Sequence, residues 1–269
     1  MKNKFLILIL LLLNSAVLDT LIPVTVEATS QAKGEMGISF KGLVDPGYGV
    51  LDPENPVKEV EPVGDYGKTT GPLRIDYVPN INFNSNKITL DNVSYAADSV
   101  QFKGMIAPRG NFIQVSDYRG KQVGWSLQVR QEMQFTNKED KKLQLDGATL
   151  SLDKASVNTN NGDLGQAPVV SKEVISITNI GETYTLAKAP KGTGGGTWSI
   201  ILGTEEDKTI DNTSTLKPRV DENGKPIIST ESEQAIYLNN AISLLVPGRS
   251  KKKPGTYTTV LTWIISELP

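Results

Sequence analysis

Tyr257-Thr-Thr-Val-Leu-Thr-Trp-Ile-Ile-Ser-Glu-Leu-Pro269 closes the chain, and its alternation decides the fold class. Successive side chains of a β-strand point to opposite faces, so Tyr257, Thr259, Leu261, Trp263 and Ile265 share one face. A stretch far upstream repeats the pattern, with Val123, Trp125, Leu127 and Val129 on one face and Gly124, Ser126, Gln128 and Arg130 on the other. The upstream strand is expected to set one face on a core and the other in water. The terminal strand is less polarised, because Val260 and Ile264 occupy its second face, and is expected to be covered on both sides or to pair centrally. A tryptophan buries about 150–250 Å², worth several kcal/mol at about 25 cal/mol per Å². Each ring is therefore a core residue or, if left exposed, a surface that stacks on sugar rings or a partner. Alternation favours the core.

Further short alternating runs surround these two. Leu73, Ile75 and Tyr77 share a face, as do Ala148, Leu150 and Leu152, and Trp198, Ile200 and Leu202 after the glycine-rich 192–196. Runs at 112–116, 174–177 and 241–246 are separated from their neighbours by turn signals such as Asp117-Tyr-Arg-Gly120 and Pro247-Gly248. Residues 158–165 read as a loop. Many short strands with Gly, Pro, Asn and Asp between them indicate an all-β, antiparallel sandwich-like domain with long loops.

The N-terminus sets the compartment. Lys2 and Lys4 precede an apolar run, Phe5 to Leu13, and Val26-Glu27-Ala28 follows. A positive start, a short apolar core and an A-x-A-like site make a secretory signal peptide, with cleavage after Ala28. The run is too short to span a bilayer, which takes about 20 residues. Residues 29–72 carry Pro46, Pro53, Pro56, Pro62 and Pro72 among glycines and acidic residues, and read as an extended, semi-rigid segment, a linker in preference to a binding site. The chain thus divides into a signal peptide, 1–28, an extended segment, 29–72, and a β domain, 73–269.

Composition then removes whole classes of function. Histidine and cysteine are both absent, so Ser-His-Asp and Cys-His nucleophiles, disulfides, and thiolate or imidazole metal sites are excluded. A net charge of −2 offers no general affinity for nucleic acid. No calcium-loop pattern occurs, and no cofactor is expected. With no acylated cysteine, no transmembrane anchor and no L-P-x-T-G sorting motif, an exported protein of this kind is expected to hold to the cell surface non-covalently. The acidic runs Glu205-Glu206-Asp207 and Glu139-Asp140 read as exposed loops and not as a catalytic pair. Arg249, Lys251, Lys252 and Lys253 form the one concentrated basic patch, read either as a contact for anionic polymers or as a solvated loop that discourages edge-to-edge association.

Gly124-Trp125-Ser126-Leu127 together with Thr262-Trp263-Ile264-Ile265 and the final Pro269 resembles the WxL domain of surface proteins in low-GC Gram-positive bacteria. Gly71-Pro-Leu-Arg-Ile-Asp-Tyr-Val-Pro79, Gln114-Val-Ser-Asp-Tyr-Arg-Gly120 and Leu145-Asp-Gly-Ala-Thr-Leu150 are similar to the same family, so the resemblance covers essentially the whole chain after the signal. The distal motif departs in carrying Ile265 where the family has leucine, a swap that conserves volume. The resemblance implies a non-enzymatic protein that binds peptidoglycan or a wall-associated polymer, works with other surface proteins encoded nearby, and adheres to host or environmental matrix ligands. Trp125, Leu127, Trp263 and Ile265 are its motif residues, as binding surface or as the core that shapes one. A structural subunit that binds a partner protein without touching glycan, and a wall-active hydrolase, are the rival readings.

Overall fold

The computed structural model describes residue 38, residues 44–204 and residues 214–269. The signal segment with Ala28, and the acidic run 205–207, lie outside them. Among the described residues sixteen strands follow in chain order. They are β1 (Tyr66–Gly67), β2 (Leu73–Pro79), β3 (Val93–Asp98), β4 (Asn111–Asp117), β5 (Trp125–Gln131), β6 (Thr136–Asn137), β7 (Thr149–Leu152) and β8 (Ala155–Thr159). Then come β9 (Val169–Val170), β10 (Ile175–Ile177), β11 (Thr183–Ala189), β12 (Gly196–Leu202), β13 (Leu216–Pro218), β14 (Tyr237–Val246), β15 (Tyr257–Thr258) and β16 (Leu261–Glu267). A short 3-10 turn at Leu164–Gln166 is the one helical element among the described residues. Asn158 and Thr159, expected to open a loop, instead finish β8, and the loop begins after them.

All strand pairing is antiparallel. One sheet runs β1-β2-β4-β12-β8, a second β10-β7-β14-β13 with β3 also on β14, and a third β16-β5-β11-β9, while β15 pairs with β6. The three larger sheets share one apolar core. Ile75, Ile113, Val115, Trp198 and Ile200 come from the first, Leu150, Leu152, Ile177 and Ile242 from the second, and Trp125, Leu127, Val129 and Ala187 from the third. β5 alternates as its sequence requires, with Trp125, Leu127, Val129 and Gln131 buried and Ser126, Gln128 and Arg130 half-buried between them.

β4 and β12 depart from alternation, because every residue in them is buried. Their second face is roofed by the proline-rich stretch read as a linker. Val50 and Val60 pack with Tyr77, Val100, Phe102, Phe112 and Ile201 in a second apolar cluster. Leu51 and Glu59 form an antiparallel bridge, so residues 49–60 make a small hairpin around Pro53 and Pro56. Buried side chains of the sheet read its backbone: Gln114 accepts from Leu51 N–H at 2.7 Å and donates to Gly49 O at 2.9 Å. Asn158 Nδ2 donates to Pro53 O at 2.9 Å. Arg109 grips Asp52 with two hydrogen bonds at 2.9 and 3.0 Å, and Arg74 pairs with Asp45 at 2.6 Å. A proline-rich segment can lie in place here because side chains supply the pairing that its missing N–H groups cannot. Residues 50–63 thus sit on the sheet as a roof, whereas 44–49 and 64–72 on either side of them are exposed.

Candidate functional site

The two tryptophan motifs are neighbours. β16 lies antiparallel to β5, with Trp263 opposite Val129, Ile265 opposite Leu127 and Glu267 opposite Trp125. The rest of the placement differs from expectation. β16 stands at the edge of its sheet, neither central nor covered on both faces, and its residues from Leu261 to Ile265 are half-buried. Ile264 falls on the face shared with Gln128, where edge position leaves it part of its exposure.

Trp125 and Leu127 are 0% exposed and belong to the core, with no surface for a ligand. The Trp125 indole N–H donates to Gly194 O at 3.0 Å, and that of Trp198 donates to the next carbonyl, Gly195 O, at 3.0 Å. The glycine-rich 192–196 stretch therefore satisfies both buried indoles. Gly194 has φ +74, and a Cβ there would lie 2.6 Å from Trp125 Nε1 and 2.4 Å from Ala189 Cβ. Gly124 has φ +92, and a Cβ would meet Ala189 O at 2.5 Å. The Asp117-Tyr-Arg-Gly120 turn ties the two motif strands together. Arg119 forks Asp117 at 2.9 and 2.8 Å, donates to Gly124 O at 3.0 Å and reaches Glu267 at 2.7 Å.

Trp263 faces a different environment. With Leu261 it lines a cleft of about 1440 Å³. Leu150, Leu244, Val246, Phe135 and Leu145 give the cleft an apolar floor, the loop 80–88 forms one wall, and residues 252–259 form the other. The 80–88 wall is braced from behind. Asp98 accepts from Asn84 Nδ2 at 2.8 Å, its backbone N–H donates to Asn82 O at 2.8 Å, and Arg219 sits between Asp98, at 3.5 Å, and Asn84 Oδ1, to which it donates. Burial pushes the Asp98 carboxyl above its ordinary value, more than Asn84 and Arg219 pull it back. The facing wall is pinned by Tyr257, whose hydroxyl accepts from Lys253 N–H at 3.0 Å and donates to Lys253 O at 3.2 Å.

The basic patch separates into two faces. Arg249, Lys251 and Lys253 are exposed. Lys252 turns back and donates to Pro247 O at 2.9 Å and Gly248 O at 3.2 Å, and Ser250 is buried with its hydroxyl on Asp146 O at 2.7 Å. Lys252 and Lys253 line the cleft, whereas Arg249 and Lys251 do not. Of the residues singled out in the sequence, the structure thus gathers Trp263, Lys252 and Lys253 at one place. Asn80, Asn82, Asn84 and Asn86 were not foreseen there, although four alternating amides just past a strand ending in Pro79 are a turn-forming pattern. The backbone N–H groups of Glu139 and Asp140 donate to Asn137 Oδ1 at 2.9 and 3.0 Å in a turn, and neither residue lines the cleft.

No curated protein and no solved structure matches the chain. A family model, WxL domain surface cell wall-binding, matches residues 23–269, which include both tryptophan strands and the sheets that hold them. With the match running over nearly the whole sequence and its two namesake motifs paired in one sheet, the chain belongs to the WxL family of surface cell wall-binding domains.

Proposed function

We propose that the protein attaches non-covalently to peptidoglycan or a wall-associated polymer by seating the polymer in the cleft beside Trp263. The carrying observation is that Trp263, alone of the three tryptophans, is partly exposed and lines a cleft. At about 1440 Å³ the cleft exceeds the ordinary small-molecule range of about 300–1,000 Å³, as suits a segment of polymer. An aromatic face with amides around it matches a sugar-bearing chain, which offers C–H faces for stacking and hydroxyls for hydrogen bonds. A hydrolase reading finds less support there. Glycoside cleavage needs two carboxylates across the substrate, and the described residues that line the cleft include none.

Trp263→Ala tests the reading. Because the ring is half-buried, its loss costs less stability than the about 3–5 kcal/mol of a fully buried tryptophan, and the fold survives. Sedimentation with purified walls is expected to fall sharply. A folded Trp263→Ala protein that sediments like the wild type overturns the cleft as the contact site.

One observation favours a second role alongside this. The edge position of β16 leaves a strand beside which an extended segment of a neighbouring surface protein can pair. Pull-down on purified walls with and without such a partner separates the two. Adhesion to matrix ligands would be an outward-facing extension of wall attachment. Export by the 1–28 segment, with cleavage after Ala28, completes the proposal, and N-terminal sequencing of secreted protein checks it.

A further inference from the structure

The chain as a whole carries slightly more acid than base, 30 Asp and Glu against 28 Lys and Arg. The cleft does not share that balance. The described residues that line it include Lys68, Lys87, Arg219, Lys252 and Lys253, and no aspartate or glutamate. Three of the five are spoken for: Lys87 pairs with Glu222 at 2.7 Å, Arg219 braces Asp98, and Lys252 is held by two carbonyls. The Lys68 and Lys253 side chains have no partner among the described residues, and both residues are exposed. Uncompensated charge of one sign beside an apolar floor concentrates potential, because the field spreads poorly through the low-dielectric wall.

We propose that the cleft selects an anionic polymer, one with phosphate or carboxylate groups repeated along a hydroxyl-bearing backbone. Lys68 and Lys253 meet the charges, while Trp263 meets the backbone between them, with the second N–H of the Asn80 and Asn86 amides, whose first N–H is held by Asp65 O and Phe83 O. This rests on the cleft being the wall-contact site. A neutral glycan would need only the aromatic face and the amides, and would leave the two unpaired ammonium groups without a role.

Trp263 supplies the probe, since Trp125 and Trp198 are 0% and 1% exposed and shielded from a ligand in the cleft. The full chain without its signal segment is titrated by tryptophan fluorescence with three oligomers: a glycerol-phosphate oligomer, a uronic-acid oligosaccharide and a neutral N-acetylglucosamine oligosaccharide. We expect one or both anionic oligomers to perturb Trp263, with affinity falling as salt rises. The stronger of the two identifies phosphate or carboxylate as the source. Lys68→Gln combined with Lys253→Gln is expected to weaken that binding about tenfold at low salt, with the difference closing at high salt. Equal, salt-insensitive binding of the neutral oligomer overturns the charge selectivity and leaves the cleft in place as a glycan site. No response to any oligomer, with wall sedimentation intact in Trp263→Ala, overturns the cleft itself.

Discussion

Trp125 Nε1 lies 3.0 Å from Gly194 O, across a gap that admits no side chain on residue 194. The relationship runs both ways. The indole needs the carbonyl because a buried donor without a partner costs about 1–3 kcal/mol, and the approach needs glycine because φ is +74 and any Cβ would overlap the ring. Gly194→Ala should therefore cost roughly 2–4 kcal/mol, combining left-handed strain with overpacking. Urea denaturation would show it as a lower midpoint with unchanged slope. A loss below about 1 kcal/mol would mean that the glycine loop gives way and does not clamp the ring.

Trp125→Phe isolates the hydrogen bond from the bulk of the ring. Most of the apolar area stays, and Gly194 O loses its indole donor while the smaller ring leaves part of its space unfilled. The expected loss is about 2–3 kcal/mol with wall binding unchanged in the folded protein, because Trp125 is 0% exposed. Selective loss of binding, with stability kept, would instead make Trp125 part of a contact surface.

Ile265 sits opposite Leu127 in the β5–β16 pair, and its place in the motif is one that leucine fills elsewhere in the family. Ile265 is half-buried at a sheet edge, where a volume-conserving change finds room to repack. Ile265→Leu is expected to change stability by less than about 1 kcal/mol and to leave wall sedimentation as it was. A clear gain in binding would show that the distal motif contacts the wall through this side chain and not only through Trp263.

What the sequence revealed, and what it hid, follows from how far each signal travels. Alternation at Trp125, Leu127 and Val129 is local, and it correctly placed these three in the core, although the opposite face is half-buried and not open to water. The roof was hidden because Gln114 and Arg74 look like solvent-facing polar residues on a strand. Only the folded chain brings Gly49, Leu51 and Asp45 within their reach. β16 misled for the opposite reason: apolar residues on both faces suggest a central strand, yet here they mark an edge that borders a cleft. The cleft itself joins residues near 80 to residues near 255, and no short-range pattern records that meeting.

The roof also has a pH signature. Burial pushes the Asp52 carboxyl up, but the Arg109 guanidinium and the backbone N–H groups of Glu54 and Asn55 outweigh it and hold the folded value below the ordinary 3.8. A carboxylate depressed by folding contributes its full stability above the unfolded value and loses it as the pH falls through the folded one. Asp52→Asn removes the charge at every pH, and costs about 1–3 kcal/mol near neutrality, because Arg109 retains Glu54 at 3.1 Å. The stability gap between wild type and Asp52→Asn should begin to narrow as the pH falls below the ordinary 3.8, where the unfolded carboxyl takes up its proton, and close once the pH has passed the lower folded value, where the native carboxyl is itself protonated. Hydrogen exchange locates the effect. Asp52→Asn should speed exchange at the Leu51 and Val60 amides, which bond to Gln114 and Val50, and leave the Val129 amide in β5 protected. A gap that stays constant from pH 7 to pH 3 would show that the ion pair adds nothing to the seating of the roof, leaving Gln114 and the apolar contacts of Val50 and Val60 to hold it.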